Sequence, residues 1–325
     1  MRAACYTKLG GSEVIDITEL ETPEPGPGEV RVHVKASGVN PSDWKARKNG
    51  RGGRMGFELI IPHNDGAGVV EVAGEGVDKS IVGKSVWILN AQYNRAFGTA
   101  AEYVVLPRNL VFLMAGDTEF VEAACFGVPF LTAYRALTID GKICGQNVLI
   151  QGGAGCVGHY LIQLAKRLGA RVLTTVSSKD KARYVKSAGA DQVLDYTQKD
   201  FPEELLAATD GKGVDRIIEV DLPVNVSHYV KVLKPGGTSV IYGASKPMAK
   251  VPSFNLLRRE ATLKWFTVYQ IDDGNRKAGV SLLNEMLSED LLETTIAKSF
   301  SLDQIRAAHD MVEKAAHIGN VVLKL

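Results

Sequence analysis

Asn147-Val148-Leu149-Ile150-Gln151-Gly152-Gly153-Ala154-Gly155-Cys156-Val157-Gly158 decides how the rest of this chain is read. An apolar run is followed by a glycine turn and then by the first turn of a helix. Val157, Leu161, Leu164, Ala165 and Leu168 continue at helical spacing. Gly152, Gly155 and Gly158 are spaced as GxxGxxG. Bare backbone at such glycines lets phosphate approach closely, and the free N–H groups of a helix N-terminus supply donors and positive potential. An isolated glycine triplet can be an ordinary strand–helix turn. Here the strand before it and the helix after it are both present, as the pyrophosphate site of a dinucleotide demands.

Working outward, strand patterns recur at Asn147–Gln151, Arg171–Val176, Gln192–Asp195, Arg216–Val220, Thr238–Tyr242 and Thr262–Val268. Helical stretches lie between them, among them Lys179–Ala188, Pro202–Ala208 and Asn225–Leu233. Such alternation predicts an α/β unit with a parallel, doubly wound, six-stranded Rossmann sheet in the order 3-2-1-4-5-6. Residues 1 to about 120 read differently. Val30, Val32, Val34 and Ala36 alternate with Arg31, His33 and Lys35, the pattern of a half-buried strand. Gly66–Gly74 and Gly83–Ile88 repeat short strands between glycines, which suggests a compact β-barrel-like domain. The spacing predicts one helix over Glu122–Leu137 and another over Asn275–Leu287. Ser301-Leu302-Asp303-Gln304 fits a capping box before a helix to about Ala316, and Gly319–Leu323 reads as a final strand. This tail is expected to return to the first domain.

Composition narrows the function class. The 325 residues suit two domains, and a net charge of +1 gives no chain-wide bias toward nucleic acid or an acidic membrane. No apolar run is long enough to span a bilayer, and the start lacks a signal-peptide core. Cys5, Cys125, Cys144 and Cys156 form no paired motif, which fits free thiols in a reducing cytoplasm.

The residues after the second strand speak to the cofactor. NAD-binding sheets carry an acid there for the ribose 2′-OH. Here the segment is Thr174-Thr175-Val176-Ser177-Ser178-Lys179-Asp180-Lys181, whose strand end has no carboxylate. Ser177, Ser178 and Lys181 offer the donors that a 2′-phosphate wants, which favours NADPH. Lys179, Lys181 and Arg183 can equally be the solvated face of the next helix.

Further landmarks are Gly26-Pro27-Gly28-Glu29-Val30, Ala36-Ser37-Gly38-Val39-Asn40-Pro41-Ser42-Asp43 and Asp65-Gly66-Ala67-Gly68-Val69-Val70. They continue with Gly98-Thr99-Ala100-Ala101-Glu102-Tyr103-Val104, Leu131–Leu137 and Lys234-Pro235-Gly236-Gly237. With the glycine loop, these make the chain resemble, end to end, a zinc-independent medium-chain dehydrogenase/reductase of the quinone oxidoreductase or zeta-crystallin type. The resemblance implies a GroES-like β-barrel catalytic domain at 1–122 and 269–325, a Rossmann NADPH-binding domain at 123–268, and a cleft between them. It implies that Asn40 and Asp43 line the nicotinamide side, that Thr132 contacts the nicotinamide end, and that Ser177, Lys181 and Tyr196 take the 2′-phosphate. Tyr242-Gly243-Ala244 and Phe266-Thr267 would flank the cofactor, beside Gly152, Gly155, Cys156, Val157 and Gly158 of the loop. The basic residue that such proteins often carry near the C-terminus has no clear match around Ala315–Asn320, where Asn320 is taken as the cofactor contact. A homodimer through the edge strand 262–268 is also implied.

Zinc-dependent relatives place ligands where this chain has Asn40 and Asn64-Asp65. His63 is one residue early and reads as a hydrogen-bonded structural residue. Three or four converging ligands cannot be assembled, so no metal is expected. Charge on the substrate oxygen then falls to conjugation in the substrate and to hydrogen-bond donors, with Asn40, Thr132 and Tyr93 as candidates and water as a proton source. Tyr93 can equally be a surface tyrosine. Trp44 and Phe130 are either flat walls for a ring or plain core. Cys156 is either a thiol activated by the helix N-terminus or a small residue packed on the sheet. The resulting expectation is hydride transfer from NADPH to a quinone. An enone or 2-alkenal reductase is the alternative within the family, and a non-catalytic nucleotide-binding or structural protein the alternative outside it.

Overall fold

A computed structural model describes residues 1–325, and the chain divides into two compact units. The second unit, Phe130–Met286 with Asp290–Glu293, is built on a six-stranded parallel sheet. Across the sheet run Gln192–Asp195, Arg171–Val176, Asn147–Ile150, Val214–Glu219, Leu233–Ile241 and Thr262–Trp265. In chain order this is 3-2-1-4-5-6, as the alternation of elements predicts. Leu149, Leu173 and Ile217 are fully buried, because helices cover both faces of the sheet. The order reverses between Asn147–Ile150 and Val214–Glu219, and ligands of such sheets bind outside the strand ends at that point.

The first unit comprises Met1–Pro129, Leu287–Glu289 and Thr294–Leu325. Its seven-stranded sheet centres on the long strand Glu29–Val39. Val30, Val32, Val34 and Ala36 are fully buried on one face, matching the alternation in the sequence. The strand pairs antiparallel along its length with Asp65–Ala73. Its other side is shared between Tyr103–Pro107 near the start and the C-terminal strand Asn320–Lys324 near the end.

Three readings need correction. The helix expected over Glu122–Leu137 is broken into Phe120–Ala123, a wide π turn at Phe126–Phe130, and Leu131–Thr138. Pro129 lies in the wide turn and has no N–H to continue the ladder. The unit boundary falls there, after Pro129 rather than at 122. The second correction is at 269, where the sequence returned the chain to the first domain. Helix Asp273–Ser288 instead packs in the second unit. A Cβ at Gly279 would lie 2.7 Å from a Leu131 methyl and 2.9 Å from the Tyr134 ring, so the two helices meet at closest approach there. Arg135 Nη1 donates to Asn275 Oδ1 at 3.1 Å across the same contact. The third is the last strand of the parallel sheet, which stops at Trp265 rather than Val268.

Candidate active site

The glycine loop is shaped by backbone. Gly152 has φ +69°, a conformation that side chains resist. A Cβ on Gly158 would lie 2.4 Å from Gly152 O and 2.7 Å from Gly153 Cα. The third glycine therefore lets helix Cys156–Arg167 close onto the loop. Gly155 caps that helix and has only one neighbour in reach of an added Cβ, at 3.5 Å, so its face is open for a ligand. The loop is braced from the next strand by residues that the sequence reading passed over. Gly152 N–H donates to Thr175 Oγ1 at 2.9 Å, and that hydroxyl donates to Gln151 Oε1 at 3.0 Å. Two adjacent threonines at the end of the second strand were the available signal.

Cys156 stands at the first helical position, partly exposed. Burial pushes its thiol up to about 11. Desolvation acting against the positive end of the helix favours the small packed residue over the activated thiolate. Close by, Glu219 ends the central strand Val214–Glu219 and is fully buried. It accepts from Asn225 Nδ2 at 2.8 Å and from Tyr229 Oη at 2.7 Å, and burial holds its carboxyl above the usual range. Burial, with smaller contributions from Glu219 and Cys156 nearby, pushes the Tyr242 phenol upward, so these three groups lie together at the reversal of strand order.

Ser178 caps helix Lys179–Ser187, its Oγ accepting from Lys181 N–H at 3.3 Å. Ser177 and Lys181 are half-buried beside it, while Tyr196 is 53% exposed. Arg183 is spent on Asp180, one helical turn away on the solvent side. Tyr242, Gly243, Ala244 and Phe266 line one cavity of about 420 Å³ with Trp265 and Met248; Thr267 is exposed and outside it. Thr132 is buried in helix Leu131–Thr138. Phe130 is fully buried, edge-on to Tyr160 at 5.6 Å, so it is core rather than a wall for a ring.

In the first unit the counterpart is a buried seam of polar side chains. Asn40 precedes helix Pro41–Asn49, and its N–H donates to Asp43 Oδ2 at 2.8 Å. Asn40 Nδ2 donates to Asp65 Oδ2 at 2.7 Å. Asp65 also accepts from Val128 N–H at 2.9 Å. Asn64 Nδ2 donates to Asp43 Oδ1 at 3.1 Å, leaving Asn64 Oδ1 buried without a partner. Burial pushes Asp43 up to about 6 and also raises Asp65 well above the usual carboxylate range. Asp43, read from sequence among the catalytic residues, is 3% exposed and sets the start of the helix and the orientation of Asn40. Asn320 is buried at the head of its strand, with Nδ2 donating to Thr295 O at 3.1 Å. Tyr93 is half-buried, with the Arg51 guanidinium 5.0 Å from its ring centroid.

The seam continues through His63 to His309, which lies 246 positions away and has no sequence signal. Its hydrogen bonds have one consistent direction. Asp65 O can only accept, so Thr99 spends its hydroxyl proton there, at 2.5 Å. Ser37 must then donate to Thr99 Oγ1 at 2.7 Å and accept from His63 Nδ1–H at 2.8 Å. His63 Nε2, without a proton, accepts from His309 Nε2–H at 3.0 Å. Both rings are neutral in this arrangement. Burial lowers His63 to about 3 and holds His309 well below the usual imidazole range.

A zinc ion does not fit these donors. Asp65 is taken up by Asn40 and Val128, Asn64 turns toward Asp43, and both His63 nitrogens are occupied. No group of three or more His, Cys, Asp and Glu side chains converges anywhere in the chain.

Comparison with known proteins agrees with this layout. Residues 26–116 match the alcohol dehydrogenase GroES-like domain and residues 156–285 match the zinc-binding dehydrogenase family. A solved structure of an NAD-dependent alcohol dehydrogenase is 30% identical, covers all of both chains and superposes with a TM-score of 0.92. The chain belongs to the medium-chain dehydrogenase/reductase family. Within it, the quinone oxidoreductase of Lama guanicoe is 29% identical over 100% of this chain and 98% of its own length. A mycobacterial member solved in complex with NADPH is 28% identical over the full length of both chains, with a TM-score of 0.89. This medium-chain dehydrogenase/reductase is thus an oxidoreductase on the quinone oxidoreductase branch.

Proposed function

We propose that this oxidoreductase transfers hydride from NADPH to a quinone without a metal. The observation that carries the choice of cofactor is the Ser178 cap with Lys181 behind it, at a strand end free of carboxylates. The NADPH complex of the mycobacterial relative supports the same choice. The open face at Gly155 and the N-terminus of helix Cys156–Arg167 would hold the pyrophosphate, and Tyr242, Gly243 and Phe266 the far side of the cofactor. Bound there, the cofactor supplies the hydride.

The chain's own part is geometric and electrostatic. Asn40 is fixed from two sides by Asp43 and Asp65, so its second Nδ2–H is held for an acceptor oxygen at no further cost in ordering. Tyr93 supplies a second donor. Quinones spread the added negative charge by conjugation, so such donors suffice where no Lewis acid stands. The likeness to a quinone oxidoreductase supports this acceptor. Oxidation of NADPH and NADH is to be measured against a quinone panel and an enone panel, after exhaustive chelation. Quinone turnover with NADPH bears the reading out. Turnover of enones alone makes the chain an enone reductase, and no turnover of either makes it a binding protein.

The partner expected is a second copy of the chain, in a reducing cytoplasm. The edge strand Thr262–Trp265 pairs on one side only, and Met248, Phe254, Leu257 and Trp265 near it are 58–83% exposed. Light scattering should give a dimer, and the double change Phe254→Asp, Leu257→Asp a monomer. A monomeric unmodified protein would end this part of the reading.

A further inference from the structure

Helix Pro41–Asn49 runs into Gly50-Arg51-Gly52-Gly53-Arg54-Met55-Gly56, a glycine-rich stretch that the hydride-transfer reading leaves unused. Gly52 and Gly53 have φ +69° and +82°, the two left-handed central positions of a tight hairpin turn. Arg51 and Arg54 face each other across it as an antiparallel bridge. Residues opposed in such a bridge project from the same face, so both guanidinium stems leave the hairpin together. Like charges directly opposed are unfavourable.

The two arginines are not equivalent. Arg51 is positioned, with Nη2 donating to Gln92 Oε1 at 2.9 Å and the guanidinium over the Tyr93 ring. Arg54 is exposed and makes no ion pair. Beneath them lies a cavity of about 190 Å³ walled by Tyr6, Met55, Phe57 and Ile60, with Arg51 and Arg54 in its lining and no carboxylate there. An apolar cavity of about 150 Å³ holds one benzene ring, and nucleotide- or drug-sized ligands need at least roughly 300 Å³. The space thus fits a single ring with a short substituent. Ala46 of helix Pro41–Asn49 also lines it, and the field of Arg51 reaches Asp43, so it adjoins the seam that fixes Asn40.

We propose that this cavity takes the carboxylate-bearing end of a single-ring conjugated acceptor, with the ring against Tyr6, Met55, Phe57 and Ile60 and the carboxylate on Arg51 and Arg54. The acceptor class is then an anionic conjugated acid rather than a neutral quinone. The identification of the cavity as the acceptor's rests on the reading of Asn40 as the donor to the acceptor oxygen; the affinity for a carboxylate does not. Guanidinium–carboxylate pairing supplies both the charge match and a planar fit.

Two measurements separate these parts. The first is calorimetric titration of the full, cofactor-free chain with trans-cinnamate and with its neutral isostere cinnamamide. Cinnamate should bind about tenfold tighter or more, as a charge-assisted pair implies. Arg54→Gln should remove that advantage, and Arg54→Lys should retain most of it. The second is NADPH oxidation with 1,4-benzoquinone and with the same quinone bearing a carboxymethyl group. The kcat/KM ratio should favour the acid and fall about tenfold in Arg54→Gln. Cinnamate binding no tighter than cinnamamide, or an advantage untouched by Arg54→Gln, overturns the pocket. Arg54-dependent cinnamate binding with neither quinone reduced leaves the pocket standing and overturns the quinone reading instead.

Discussion

The glycine loop of the second unit and the polar seam of the first solve opposite problems. The loop works by what is missing: Gly152, Gly153 and Gly158 leave backbone bare, and the spaces where their side chains would stand are bounded by Val220, by Thr174 and by Gly152 O. The seam works by what is present. Asn40, Asp43, Asn64, Asp65, Ser37, Thr99, His63 and His309 spend nearly every donor and acceptor on one another while shielded from water. A site made of backbone is specified by a dozen consecutive residues. A site made of mutually satisfied side chains is specified only once distant strands are in register. One tolerates no added atom, and the other no lost partner.

That contrast breaks hardest at Asp65. Asp65→Ala strands Val128 N–H and Asn40 Nδ2 in a dry interior, each worth about 1–3 kcal/mol when left unmade. We expect a loss of about 3–5 kcal/mol in denaturant unfolding; a loss under 1 kcal/mol would show that the seam is not held by this carboxylate. On the loop side the matching insult is one added methyl group. Gly158→Ala should cost about 1–3 kcal/mol by overpacking against fixed backbone, and should weaken NADPH at least as much as it weakens folding. Unchanged cofactor affinity would detach the loop from the cofactor.

Asp43 sharpens the comparison by testing whether a full seam is also an optimal one. Its carboxyl binds a proton more tightly folded, at about 6, than unfolded, near 3.9. The proton therefore favours the folded state below pH about 4, and that advantage is lost as pH rises to about 6; above that, a buried charge remains as a cost. Asp43→Asn keeps the acceptor for Asn40 N–H, and its new amide N–H₂ can meet the unpartnered Asn64 Oδ1 if Asn64 turns over. The variant should be more stable than the parent by about 1–2 kcal/mol at pH 7.5 and level with it at pH 4. A less stable variant at pH 7.5 would contradict the assignment of burial as the dominant cause.

How much of this was readable beforehand follows the same division. The strands Arg171–Val176 and Gln192–Asp195, the loop, and the order of the parallel sheet are legible because each depends on neighbours in sequence. The Ser301–Gln304 capping box is present as read, although it opens a 3₁₀ turn before the helix proper at Ile305. Pro129 was in plain view, but its π turn depends on where Asp65 receives Val128 N–H. Helix Asp273–Ser288 shows its period and not its partner, so its unit could not be assigned. His309 had no local mark at all. Between the two readings of Cys156 the sequence could not choose, because the helix terminus is visible in sequence and the desolvation that opposes it is not.

Smaller effects refine the loop half. Lys181→Ala should weaken NADPH about tenfold and leave NADH nearly unchanged, read by fluorescence titration. An equal loss for both cofactors would return Lys181 to the solvated helix face. Smallest of all, alkylation mapped by mass spectrometry should mark exposed Cys144 first and Cys156 slowly, since a thiol at about 11 is almost wholly protonated at pH 7.5. Cys156 labelling ahead of Cys144 would restore the activated thiolate.

The pairing of Val321 with Val39 and of Lys324 with Ala36 has a consequence for how the chain is made. The second unit comes from an almost unbroken run and can fold as soon as it leaves the ribosome. The first unit holds most of its strands by residue 129 but lacks the one that closes the inner half of Glu29–Val39. At about 5–20 residues per second, that edge stays open for roughly 10–40 seconds of synthesis. Open strand edges recruit other chains, so this is the interval in which a nascent molecule is most exposed to aggregation. A stop codon just before Asn320 would make that exposure permanent.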